Sequence, residues 1–216
     1  MKKQMNKTLS EELQQGILQL GLSVNRDVQQ KLLAYLALLV KWNKTYNLTA
    51  IRDPQQMVRH HLLDSLAILP YLEKGRWLDV GCGAGLPGLM LAICHQDWDV
   101  TLIDSNSKKT GFVQQAIIEL AIVNARVHCI RVEDFQAADK FDGIISRAFT
   151  ELGAFVRLTR HLIADDGRWV AMKGIPEQEL ASVPEDCVVE RIIPLVVPEL
   201  NAARSLVIVI PGGKHD

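Results

Sequence analysis

Two hydrophobic rhythms divide the chain near residue 73. Before it, apolar residues recur at helical spacing. Residues 8–20 form a short amphipathic pattern, and a longer one runs from about Arg26 to Tyr46, with Leu32, Leu36, Leu39 and Asn43 on one face and Val28 and Tyr35 beside them. Asn25 is placed to cap that helix, because its side chain can accept a hydrogen bond from an unpaired first-turn amide. Asp53-Pro54 supplies a cap and a first-turn proline for a third helix, whose buried stripe is Val58, Leu62, Leu66 and Leu69.

From Arg76 short apolar runs alternate with helical segments. Strands are predicted at Trp77–Val80, Val100–Asp104, Arg126–Val132, Phe141–Ser146 and Arg168–Met172, with helices at Leu86–Cys94, Lys108–Ile122 and Glu151–Ile163. Such alternation calls for a parallel sheet covered on both faces. After Pro184, Cys187–Val197 and Arg204–Ile210 follow with no helix of usual length between them, and read as an antiparallel pair closing the sheet. The predicted fold is α/β: a seven-stranded, mostly parallel sheet with an antiparallel C-terminal strand over residues 73–216, packed as one unit with a helical extension over residues 1–72. No internal repeat or low-complexity tract interrupts it.

Composition narrows the class. The 216 residues are enough to bury a substantial core, and two full catalytic domains are not expected. Cys82, Cys94, Cys129 and Cys187 form no C-x-x-C pair and show no metal-ligand spacing, which points to reduced thiols in a cytoplasmic protein and to no metal site. Met1 to Gln15 lacks the apolar stretch of a signal peptide, and Leu32 to Val40 is too short to span a bilayer, so a soluble chain with no membrane partner is expected. Net charge is −1 but uneven: residues 1–60 hold nine Lys or Arg against four Asp or Glu, and the rest fifteen against twenty-one. The basic end could meet phosphates locally, or could be a solvated helical surface.

Ligands of open parallel sheets bind beyond the carboxyl ends of the strands, so the loops starting at Gly81, Asp104, Glu133, Arg147 and Lys173 are where chemistry is sought. The first is LDVGCGAGLPG, from Leu78 to Gly88. Gly83, Gly85 and Gly88 fit the G-x-G-x-x-G dinucleotide fingerprint, whereas from Asp79 the same letters form an acid-x-Gly-x-Gly-x-Gly loop suited to a nucleoside without phosphate. Asp104 ends the next strand, 21 residues after Gly83, where a carboxylate can accept bonds from ribose hydroxyls of either NAD or S-adenosylmethionine. The polar cluster after the third strand, Val132-Glu133-Asp134, gives an adenine a place against Val132. That cluster, the single α/β unit and the β-rich ending favour S-adenosylmethionine over NAD, and the ending resembles that of the seven-stranded, Rossmann-like class I S-adenosylmethionine-dependent methyltransferases. The match from Gly83 to Gly88 is then a coincidence of spacing.

A more specific resemblance covers most of the chain. Trp42 to Thr49 (WNKTYNLT), Arg52-Asp53, His61 to Ser65 (HLLDS), the loop from Leu78 to Gly88, Arg131-Val132-Glu133 and Ser146 to Phe149 (SRAF), in this order, resemble the bacterial small-subunit rRNA guanine-N7 methyltransferase family, also called glucose-inhibited division protein B. The resemblance implies transfer of a methyl group to N7 of a guanine in the 530 loop of 16S rRNA, and S-adenosylmethionine contacts at Gly81, Leu86, Val132, Glu133 and Arg147. Gly83 and Asp104 join that set from the loop reading. Cys82 departs from the small hydroxyl residue more usual in the family, and an altered cofactor contact is expected there.

The residues suit that chemistry. N7 of guanine carries an in-plane lone pair and no proton, so attack on a sulfonium methyl requires no general base. No Asn/Asp-Pro-Pro-aromatic motif follows the fourth strand, as enzymes that methylate exocyclic amines would have, and no Pro-Cys nucleophile for carbon methylation; Ser146-Arg147-Ala148 stands there. No catalytic acid or base is assigned, and alignment of reactants, which gains on the order of 7–11 kcal/mol, carries the rate. Arg147 is open to three binding roles, holding cofactor, RNA phosphate or guanine O6, or to a plain ion pair. A cation on the ring would oppose the positive charge that N7 attack leaves there, so binding is favoured over activation.

Lys108 and Lys109 stand in the first turn of a helix, where cations oppose the macrodipole by about 0.3–1 kcal/mol each, so an external anion, RNA phosphate, is expected there, with two solvated lysines the alternative. Lys44 and Arg52 are further RNA contacts, with Lys41 and Arg59 as additional candidates; such contacts position rather than specify. His61 and Asp64, three apart, are expected to pair locally in a structural role. Trp42 and Tyr46 are read as helix-packing residues, with base stacking the alternative. The partner is 16S rRNA or the small subunit, and a monomer is favoured.

Overall fold

β1 (Arg76–Val80) is the centre from which the chain is laid down. In the computed structural model, which describes residues 2–212 with side chains from Thr8 onward, the sheet has seven strands in the order β3-β2-β1-β4-β5-β7-β6. The chain runs outward from β1 through β2 (Asp99–Asp104) to β3 (Ala125–Cys129), then returns to place β4 (Phe141–Arg147) on the other side of β1. That reversal makes the carboxyl ends of β1 and β4 the switch point where ligands enter such sheets. β5 (Ile163–Lys173) extends the parallel part, and β7 (Ser205–Pro211) inserts antiparallel between β5 and β6 (Cys187–Pro194).

Alternating side chains of the inner strands feed two cores. Trp77 faces the side covered by the N-terminal helices, α5 (Gly88–Cys94) and α6 (Ser107–Glu119), whereas Leu78 faces α7 (Leu152–Thr159). Leu13 of α1 (Lys2–Gln19), Leu36 of α2 (Arg26–Tyr46) and Leu62 belong to the same buried cluster as Trp77 and Leu102. α1 starts six residues before the amphipathic pattern does. Asn25 caps α2 by accepting from Val28 N at 2.9 Å, and Asp53 caps α3 (Pro54–Met57) by accepting from Gln55 N at 3.1 Å.

The third helical segment is not the regular helix its stripe predicts. After α3 it widens into a π turn over Val58–Leu63, resumes as α4 (Asp64–Leu66), and ends in a 3-10 turn over Leu69–Tyr71. Periodicity cannot register this, because Val58, Leu62, Leu66 and Leu69 are all buried despite the wider turn. π turns occur most often at functional sites, and this one offers the His60 carbonyl to Arg147. Val132 is also displaced from its predicted strand: β3 stops at Cys129, and Val132–Asp134 is a 3-10 turn. Ile163 starts β5 rather than ending a helix, since α7 closes at Thr159. Met1 and residues 213–216 lie outside the described residues, and with Met1 the first position of the segment read as lacking a signal peptide.

Candidate functional site

The loop after β1 is tied to its surroundings mostly by backbone. Gly81 N and Cys82 N both donate to Ile103 O, at 2.9 and 3.1 Å, so the loop prolongs the pairing of β1 with β2 before turning. Gly83 has φ +56°, a region costly to a side chain, and a Cβ there would meet nothing within 4 Å, because the space in front of it is open. At Gly81 a Cβ would come within 2.5 Å of the Phe149 ring, which lies against the bare backbone. Gly88 is not a coincidence of spacing. A Cβ on it would stand 2.7 Å from Asp79 Oδ2 and 2.8 Å from Leu102, so glycine lets α5 start hard against the sheet, the packing role of the last glycine of a dinucleotide fingerprint.

Asp79 lies beneath this loop. It is fully buried, with Oδ2 accepting from Gly88 N at 2.7 Å and Oδ1 without a partner. Burial pushes its carboxyl up to about 7, against the pull of the Gly88 amide and of Arg147. Asp104 clamps the loop from the next strand: Oδ2 accepts from Gly83 N at 3.0 Å and Oδ1 from Asn106 N at 2.8 Å. Since a carboxylate has about four acceptor positions, about two remain for a ligand. A third anchor was not visible as such in the sequence. Tyr35, on the buried face of α2, donates from its hydroxyl to Ala84 O at 2.7 Å, and burial pushes that phenol far above its ordinary value.

A cleft of about 260 Å³ opens over the ends of the first four strands, lined by Val80, Gly81, Ile103, Asp104, Lys109, Val132, Glu133, Ala148 and Phe149 among others. Its apolar strip at Ile103 and Val132, exposed carboxylate at Glu133, half-free carboxylate at Asp104 and the open space before Gly83 fit the adenine, ribose and chain of S-adenosylmethionine. Gly81, Asp104, Val132 and Glu133 are thus brought to one cleft, with Gly83 at the Asp104 clamp. Leu86 is not. Its side chain is 4 % exposed in the core, and its amide closes the turn to Cys82 O at 3.0 Å. Cys82, where an altered contact is expected, turns its thiol into the core, and burial holds it neutral.

Ala148, with φ +54°, borders a second cavity of about 470 Å³. Strained backbone at such a junction is a feature of functional sites. The cavity is walled by charged side chains from distant segments. Asp64, 3 % exposed, receives Arg147 Nη1 on Oδ2 and Arg204 Nε on Oδ1, each at 3.0 Å. Lys173 Nζ donates to Glu179 Oε2, which also accepts from Leu152 N at the start of α7. Arg147 is therefore turned to Asp64 and the His60 carbonyl and lines this cavity, not the first cleft. Arg204 was missed, its only signal being its place as the first residue of the last apolar run.

The local His61–Asp64 pair is corrected as well. His61 Nε2 meets Thr49 Oγ1 at 2.9 Å while Asp64 turns to the arginines, and burial beside Arg147 lowers the imidazole to about 4, so it is neutral near pH 7. Among the basic candidates, Arg59 is taken up by Glu12 at 2.5 Å, and Arg52 Nη2 donates to Asn47 Oδ1 at 2.8 Å. Lys109 has Asp104 as its anion, Nζ to Oδ2 at 3.9 Å. Lys41, Lys44 and Lys108 are exposed, with no side-chain partner among the described residues. Among those residues no helix is long and apolar enough to cross a membrane, and no three His, Cys, Asp or Glu side chains are grouped to hold a metal ion.

Known proteins match this arrangement at two levels. A family model described as GidB, rRNA small subunit methyltransferase G, matches residues 28–207. The ribosomal RNA small subunit methyltransferase G of Methylobacillus flagellatus is 54 % identical over 200 residues, 92 % of this chain and 97 % of that one; its counterpart from Laribacter hongkongensis is 52 % identical with the same coverage. Among solved structures, a SAM-dependent methyltransferase from Aquifex aeolicus superposes with a TM-score of 0.56 at 17 % identity, covering 73 % of this chain and 94 % of that one. The ribosomal protein L11 methylase of Lactobacillus delbrueckii gives 0.51 at 15 %, covering 74 % and 80 %. At those identities the likeness is one of fold.

Proposed function

Since this chain belongs to the rRNA small subunit methyltransferase G family, we infer that it transfers a methyl group from S-adenosylmethionine to N7 of a guanine in the 530 loop of 16S rRNA. The observation that carries this reading is the pair of clefts meeting at Ala148, one fitted to a nucleoside cofactor and the other walled by Arg147, Arg204 and Lys173 together with the two carboxylates that pair with them, Asp64 and Glu179. Bound S-adenosylmethionine supplies an electrophilic sulfonium methyl, and the chain's task is to hold and align. Asp104 and Glu133 accept from ribose and adenine groups, Val132 packs on the adenine, and Gly81 and Gly83 admit the methionine part. Leu86 supports the loop from behind.

The target guanine occupies the second cavity. Asp64 takes one of the two positive charges that Arg147 and Arg204 bring, so the cavity attracts RNA without setting uncompensated cations against a purine that becomes positive. Neutral His61 and the buried Asp79 are not needed as base, because N7 has no proton to lose. Bringing a base out of a folded loop costs a few kcal/mol, and cation contacts to its flanking phosphates offset part of that. Lys44, Arg52 and Lys108 hold the RNA backbone, with Lys109 shared between Asp104 and phosphate. The site of action is the cytoplasm, where small subunits are made.

The test is incubation of the protein with labelled S-adenosylmethionine and either naked 16S rRNA or small subunits lacking the modification, followed by mapping of the label. Transfer to guanine N7 in the 530 loop is expected. Transfer to neither substrate, or to another position, would overturn the reading.

A further inference from the structure

The two aromatic residues near the end of α2 are put to different uses. Trp42 is half-buried, its ring 5.7 Å from that of Phe112 in an edge-on contact, which fixes α2 against α6. Tyr46 lies on the outside of Trp42, ring centroids 5.1 Å apart and tilted by 33°, and is 43 % exposed. Among the described residues with large exposed apolar side chains, all the others are aliphatic. Packing accounts for the inner face of the Tyr46 ring and leaves the outer face without use.

The surroundings are cationic and lead toward the charged cavity. Lys44 is exposed two residues before Tyr46, and Arg52 is held one residue after it, through Asn47 Oδ1 at 2.8 Å. Asn47 ends α2 in the left-handed conformation at φ 50°, turning the chain sharply. The segment that follows is pinned by Thr49 to His61 at 2.9 Å and delivers Ile51 to the wall of the second cavity. Lys108 is one helical turn before Phe112, the residue that Trp42 touches. A rigid aromatic face flanked by cations that are not ion-paired is the arrangement that binds unpaired bases, the ring stacking on the base while the cations follow the phosphates.

We propose that Tyr46 is a stacking platform for an unpaired base of the RNA substrate, a base other than the one methylated, with Lys44 and Arg52 holding its phosphates. The proposal rests on the reading of the substrate as RNA and adds a second grip outside the reacting cavity. Such a grip acts on binding, not on the alignment of nitrogen, methyl and sulfur.

Steady-state methyl transfer to small subunits and to naked 16S rRNA, both lacking the modification, tests it with Tyr46→Ala, Tyr46→Leu, Tyr46→Phe and Tyr46→Trp. Leucine keeps bulk against Trp42 and has no aromatic face. Alanine and leucine are expected to raise KM for the accepted RNA by about tenfold, within the range for loss of one stacked base, while phenylalanine and tryptophan stay near the parent. kcat and S-adenosylhomocysteine affinity should not move, and Tm should hold in the leucine, phenylalanine and tryptophan variants, whereas alanine also loses the contact with Trp42 and lowers it. Tyr46→Leu should also leave the salt dependence of RNA binding unchanged, whereas Lys44→Ala lowers its slope by about one. A leucine variant with the parent's KM, or a loss confined to kcat or Tm, overturns the platform alone. No methyl transfer by the parent protein to either RNA overturns the assigned activity, and the platform with it.

Discussion

The two clefts that meet at Ala148 are made of different materials. The one over β1 and β2 is shaped by backbone: glycines at the alternate positions 81, 83 and 85, two amides on Ile103 O, and carboxylates that hold the loop instead of filling the space. The one beyond β4 is shaped by side chains, a buried Asp64 between Arg147 and Arg204 that come from segments 83 and 140 residues away in sequence. A backbone cradle tolerates changes in its neighbours, because the chain path itself makes it. A cage of charges depends on its central member, because removing Asp64 takes from two half-buried guanidinium groups the anion they share.

The largest expected effect follows from that contrast. Asp64→Ala should destabilise the fold by about 3 kcal/mol, the low end for breaking a buried ion pair, since both guanidinium groups keep some water contact. Urea denaturation reads the loss, and S-adenosylhomocysteine should still bind at temperatures where the variant is folded. Equal loss of RNA methylation and cofactor affinity would show that the clefts are one unit. Tyr35→Phe tests the reverse, since it strips a buried donor from the Ala84 carbonyl and should cost about 2 kcal/mol. Cofactor affinity should weaken with it while RNA affinity holds; unchanged cofactor binding would mean the loop keeps its shape without α2.

Asp79 gives the backbone cleft a pH signature. Its folded value of about 7 lies above the ordinary 3.8, so between those values the folded chain keeps a proton that the unfolded chain has lost. The favourable contribution is complete below about 3.8 and is lost as pH rises through about 7, with a slope of up to about 1.4 kcal/mol per pH unit. Asp79→Asn removes this titration. Its stability relative to the parent should climb from pH 5 to pH 7 and level off above, in urea titrations at each pH; parallel curves would place the Asp79 proton elsewhere. The smallest effect is expected at Gly83→Ala, about 1 kcal/mol of stability for a side chain at positive φ. Because the added methyl enters the open space of the cleft, calorimetric titration should show S-adenosylhomocysteine affinity falling by more than the stability does.

What the sequence determined by itself is what is contiguous. The succession of elements and the parallel sheet could be anticipated because each α/β unit announces itself by period and length, and the closing antiparallel pair by two apolar runs without a helix between them. The first cleft was legible for the same reason. Asp104 ends β2, and Gly81, Gly83, Val132 and Glu133 lie within four residues after the ends of β1 and β3, and the carboxyl end of a strand is a position in sequence before it is one in space. Even there burial had to decide the orientation of side chains, sending Leu86 and Cys82 into the core although both stand within the loop.

The second cavity was decided by tertiary structure. Nothing local distinguishes Asp64 as the partner of Arg147 rather than of His61, since on a regular helix the pair three residues apart is the available one. The π turn over Val58–Leu63, the left-handed Ala148 and the insertion of β7 between β5 and β6 together bring Asp64, Arg147 and Arg204 into contact. The physical reason is range. Backbone hydrogen bonding and hydrophobic period act over a few residues and leave their mark in the letters, whereas a buried carboxylate takes whichever cations the completed fold presents to it.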